Sequence, residues 1–227
     1  MFLSKASMLP IIFLFTSGVS TAAETTIEPA FCNPSAFQKT EISSAVPGLR
    51  SNHAYQLGNL VLVGLAVGKS DITAMRALSN RFSQFELAEK NCTWYFNDGN
   101  PKAAQAFHHR YVSNPSFKGS EVADEYEKVL ASTFAEESTS FMSCAVDHGY
   151  IAMGCDGMKH RGPSVFAMIL SFAGCSAQNS TAIANMIWGA NGVAVKTREA
   201  IAEKGKVLGD LNPALRQQLQ VLMTTVR

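Results

Sequence analysis

The sequence predicts an all-α protein, a single helical domain of about eight helices braced by one or two disulfides. Three observations carry that expectation. Apolar residues recur at steps of three and four in several segments, the spacing of one face of a helix. No segment holds the apolar–polar alternation of a half-buried strand. The five cysteines, Cys32, Cys92, Cys144, Cys155 and Cys175, all follow an N-terminal stretch patterned as an export signal.

That stretch is residues 1–23. Lys5 is the one charge before Glu24, an apolar run spans Met8 to Phe15, and small residues lead to Ala22 and Ala23, where cleavage fits. No cysteine directly follows the cleavage point, as a lipoprotein anchor would need. The apolar run is shorter than the roughly 20 residues of a spanning helix, so no stable membrane insertion is expected after cleavage. The expected location is the periplasm or the medium, where cysteines pair.

Composition narrows the function. Of 227 residues, 47% are hydrophobic and 16% charged, which suits a packed core and excludes disorder. Loss of the leader leaves 18 basic and 18 acidic side chains. A neutral chain lacks the basic excess that nucleic acid or anionic lipid would select. It is compatible with a protein partner.

Residues 24–50 read as an N-terminal connector. Asn33-Pro34 opens a short helix there, with proline at a position whose N–H needs no partner, and Pro47-Gly48 stops it. Residues 51–227 read as the α-helical domain. Tyr55 to Val67 is apolar nearly all round, the mark of a buried helix. Asp71 to Lys90 is amphipathic, with Ile72, Met75, Leu78, Phe82 and Phe85 on one face. Asn97-Asp98-Gly99-Asn100-Pro101 signals a loop and the next helix, which runs to about Val112. Ser120 caps another, with Val122, Tyr126, Val129, Leu130 and Phe134 inward. Pro163 opens a buried helix over Val165–Phe172. Ala182 to Ala190 follows, with Ile183, Met186 and Ile187 inward and Gly192 as its end. Val195 to Leu208 is a charged helix. Asn212-Pro213 opens the last, whose Leu215, Leu219, Leu222 and Val226 form one face.

The candidate chemistry centres on Glu137 to Cys175. Cys144, His148, Cys155 and His160 make a C-x3-H-x6-C-x4-H string of zinc-type ligands. In an oxidising compartment the same cysteines are expected as disulfides, and no metal or other cofactor is expected. If Cys144 and Cys155 pair, the chain must reverse between them, which Gly149 or Gly154 permits. Cys32–Cys92 is the favoured single bridge, tying the connector to the body. An odd cysteine then remains, buried or linking two chains as a dimer. Glu137 leaves a helix beside apolar residues, where a carboxyl can act as a general acid. Glu137-Ser138-Thr139-Ser140-Phe141 resembles the start of the motif around the acid of lytic transglycosylases, which implies a glycan hydrolase. The resemblance covers about five residues, and the Gly-Leu-Met-Gln segment of that family does not follow. Adjacent His108 and His109, or His148, offer partners for a thiol nucleophile. Trp94, Tyr95 and Phe96 precede a polar loop and are the first candidates for a binding surface. Asn91-Cys92-Thr93 and Asn179-Ser180-Thr181 are formal glycosylation sequons. The leading expectation is an exported protein-binding module without catalysis, such as an inhibitor or immunity protein against an envelope toxin or hydrolase, or an accessory subunit of an envelope machine. The alternative is an envelope glycan hydrolase with Glu137 as its acid.

Overall fold

The computed structural model describes residues 27–37, 40–42, 49–51, 53–66, 93–96, 141–155, 158–159, 161–190 and 192–225. Within them the all-α expectation is overturned. Five strands form one mixed sheet: β1 (Thr40–Glu41), β2 (Ala54–Leu57), β3 (Leu60–Ala66), β4 (Thr93–Phe96) and β5 (Tyr150–Cys155), in the order β1-β2-β3-β5-β4. β1, β2 and β3 pair antiparallel, and β5 runs parallel to both β3 and β4. Helical residues 141–148 (α1) precede β5, and α2 (Arg161–Phe172), α3 (Ala177–Trp188), α4 (Gly192–Leu211) and α5 (Pro213–Thr224) follow it.

The predicted helix over Tyr55–Val67 is instead the β2–β3 hairpin. All seven residues of β3 are buried. Leu60, Leu62 and Ala66 join Tyr55, Leu57, Ile151, Met153 and Cys155 in the main apolar cluster. Val61, Val63 and Leu65 are buried outside that cluster, as are Tyr150 and Ala152. A strand covered on both faces needs no polar positions, so its sequence loses the period of two. Gly58 makes the turn: it sits first in a two-residue loop with φ +60, the residue placement of a type II′ hairpin. The loop also rests on α5. Asn59 N–H donates to the Leu222 carbonyl at 2.8 Å, and a Cβ on Gly58 would lie 2.5 Å from the Met223 carbonyl oxygen.

α2 is buried from Gly162 to Phe172, as its apolar run predicts. It ends in a Schellman motif. Gly174, at φ +106, donates to the Ser171 carbonyl at 3.0 Å, and Cys175 N–H donates to Leu170 at 3.1 Å. α4 crosses α2 at backbone contact through Gly205 and Gly209, whose Cβ atoms would overlap the carbonyls of Met168 and Phe172. Trp188 closes the aromatic layer beneath the sheet, edge-on to Phe166 at 4.9 Å and to Tyr55 at 5.6 Å.

Boundaries move at several elements. α3 begins at Ala177 under a Ser176 N-cap and stops at Gly189, φ +84, not at Gly192, which opens α4. Ile183 and Ile187 face inward as expected, but Met186 is 54% exposed. Asn212 and Pro213 do open the last helix, and Leu219 lies in the core. Asn33-Pro34 opens a single turn, not a helix; a 3-10 turn over Ala30–Cys32 precedes it. The helices predicted over 71–90, 101–112 and 120–134 lie outside the described residues.

The favoured Cys32–Cys92 bridge is overturned: Cys32 pairs with Cys175. The connector is tied to the body, but at the α2–α3 turn, on which the N-terminal segment docks. Glu28 fixes it there. Its carboxylate accepts from Ser176 N–H at 2.9 Å and from Asn179 Nδ2 at 2.7 Å, at the positive end of α3. From the other side, Gln220 Nε2 of α5 donates to the Ala173 carbonyl at 2.7 Å.

Candidate functional site

Parallel strands collect chemistry at their carboxyl ends, where loops leave for the following helices. Here the register sets Ala66, Cys155 and Phe96 side by side at the ends of β3, β5 and β4. Cys155 is the one free thiol among the described residues, and it is buried at 2% exposure. Its Sγ accepts the Met158 N–H at 3.2 Å and lies 3.8 Å from the Met158 Sδ. Met158 is held at φ +50, a region that a long side chain rarely adopts. Gly64 of β3 and Gly162 of α2 leave the space its thioether fills; a Cβ on either would overlap it. The result is a thiol sealed by its own loop.

Arg198 anchors that loop. It is 0% exposed, and donates through Nη2 to the Lys159 carbonyl at 3.2 Å. Nη1 serves Asn185 Oδ1 and the Gly189 carbonyl, 3.2 Å away. Gly189 and Asn185 lie at the C-terminal end of α3, where the helix dipole favours a cation. Burial lowers the guanidinium pKa to about 10, so it stays charged at neutral pH. Nothing in sequence marks Arg198, which is one of several charged residues on α4. Glu28 was missed for the same reason: an acid in a connector looks solvated until its helix is known.

Two grooves open among the described residues. One, of about 160 Å³, lies between the N-terminal segment and α4–α5, with Glu28, Lys206 and the Asp210–Arg216 ion pair around it. The other, about 510 Å³, runs between Asn59, Val146 and the α5 residues Gln218, Val221 and Leu222.

The residues singled out from sequence are scattered. Cys144, on α1, is disulfide-bonded, so it has no thiolate to offer a zinc ion. Its partner is not Cys155, although the chain does reverse between them, at Gly149 with φ +71. His148 is half-buried near Tyr150, with ring centroids 6.4 Å apart. No three His, Cys, Asp or Glu side chains meet among the described residues as a metal site requires. Glu137, His108, His109, His160 and Cys92 lie outside the described residues. Trp94, Tyr95 and Phe96 form most of β4, the last strand of the described sheet, with Trp94 opposite Met153. The Asn179 amide nitrogen is engaged by Glu28, so this sequon presents no free acceptor in the folded chain. No helix among the described residues is long and apolar enough to cross a membrane. No protein-family model, no curated protein and no solved structure matches this chain.

Proposed function

We propose that this chain is an exported protein-binding module, an inhibitor or immunity protein for an envelope toxin or hydrolase, or an accessory subunit of an envelope machine. The observation that carries the reading is the position of Trp94-Tyr95-Phe96 on a strand that ends the described sheet. A terminal strand offers a row of backbone donors and acceptors to an added strand, and aromatic side chains dominate binding energy at interfaces. The disulfides at Cys32–Cys175 and at Cys144 support an oxidising compartment.

The test is capture of partners by tagged residues 24–227 from an envelope extract. A stoichiometric partner is expected. Trp94→Ala, Tyr95→Ala and Phe96→Ala are each compared with it, after their melting curves are matched to the parent. At least one folded variant should lose affinity by about thirtyfold, as a hot spot does. Repeated recovery of no partner overturns the reading. Clearing on a peptidoglycan gel that Glu137→Gln abolishes would install the glycan hydrolase in its place.

A further inference from the structure

We infer that the chain depends on a thiol–disulfide isomerase to reach its native pairing. The inference rests on the exported reading above and adds a specific partner class to it. The bridge joins Cys32 to Cys175 across 143 positions and encloses Cys92, Cys144 and Cys155. A chain that enters an oxidising compartment N-terminus first presents Cys32, then Cys92, and Cys175 last of all. Cys32 and Cys92 are about 60 positions apart, so loop closure alone favours that pair about fourfold over the native one. The order of arrival adds to the bias. The first bridge formed is therefore Cys32–Cys92, as its two thiols pass two electrons and two protons to a disulfide-donating oxidoreductase.

Correction needs no second oxidant for this bond. The isomerase thiolate attacks the Cys32 sulfur, a mixed disulfide forms, and Cys92 leaves as a thiolate. The Cys175 thiolate then attacks the same sulfur and expels the isomerase thiolate. One disulfide is exchanged for another and the electron count is unchanged. The folded chain cannot do this for itself. Cys32 and Cys175 are both fully buried, and the free Cys155 is buried elsewhere, under Met158. Exchange must precede folding, and folding ends it. Glu28 and the Schellman turn then hold the product out of reach of attacking thiols.

The experiment expresses the full chain, leader included, in an exporting bacterial host with and without its disulfide isomerase. Thiols are quenched in acid and alkylated, and the bridges are read by peptide mapping. Loss of the isomerase should lower the yield of Cys32–Cys175 severalfold, with Cys32–Cys92 in its place. The triple variant Cys92→Ala/Cys144→Ala/Cys155→Ala has one possible internal bridge, so its yield of Cys32–Cys175 should not depend on the isomerase, whether or not it folds stably. Equal native yield from the parent chain in both hosts overturns the inference. Leader uncleaved and all thiols reduced in both hosts is a different result, which removes the exported reading and this inference with it.

Discussion

Arg198 holds a full charge at the centre of the described helices with no carboxylate among its hydrogen-bond partners, two carbonyls and a carboxamide. Its removal takes the donor from three part-buried acceptors at once. Arg198→Met should lower the unfolding free energy by about 3 kcal/mol in a denaturant titration, and Arg198→Lys, which keeps charge but loses the planar fork, should recover only part of it. Tyr55 makes the complementary case. Desolvation, helped by the negative charge of Glu41, raises its phenol above the ordinary value of 10.0. Below pH 10 the folded and unfolded chains both keep that proton and the contribution is whole. Above it the unfolded chain ionises first, so stability falls as pH rises. Tyr55→Phe should therefore move alkaline unfolding to higher pH, and tyrosinate absorbance should show one phenol fewer ionising with the transition. Single residues of this kind are the least legible from sequence. A buried arginine and a solvated one are written with the same letter, and only the packing of α3 against α4 separates them.

The helices after residue 160 were the legible elements. Val165–Phe172 announces itself by an apolar run, and Asn212-Pro213 announces α5 by capping chemistry. The strands were not, because β3 is covered on both faces and its Leu-Val-Leu-Val run carries no alternation. The tightest contact between elements was equally silent. Gly205 and Gly209 lie one turn apart on a helix that looks weak because of them. In an isolated helix Gly→Ala would add roughly 1 kcal/mol of stability. Here the new methyl meets backbone carbonyl, which cannot rotate aside. Gly205→Ala and Gly209→Ala should each destabilise by about 1–3 kcal/mol, read as a lowered thermal midpoint. Gly189 has open space around its Cβ position, so alanine there meets no clash; its cost is the strain of a φ 84, ψ 157 backbone that is nearly reserved for glycine, about 1–3 kcal/mol.

Across the whole molecule, the Cys32–Cys175 bridge closes most of the chain into one loop. The chain-entropy model gives such a loop about 5 kcal/mol of stabilisation, less if a second bridge already shortens it. Cys32→Ser/Cys175→Ser should lower stability by several kcal/mol in a denaturant titration, while Glu28→Gln, which weakens the same docking by its charge alone, should cost about 1 kcal/mol. Mapping of the native chain should find Cys155 as a free thiol and Cys144 in a second bridge. The count of cysteines was legible, and so was the existence of an odd one, though not that it is Cys155. The pairing was not, because it depends on where α2 ends in space.

The hairpin at Gly58 couples two distant parts of the chain. The Asn59 amide has no acceptor in its own hairpin and bonds instead to Leu222, in the final turns of α5. Its exchange with solvent deuterium is therefore governed by fraying of a helix more than 150 residues away, while amides inside β3 wait for the sheet itself to open. Asn59 becomes a built-in gauge of whether the C-terminal helix is seated.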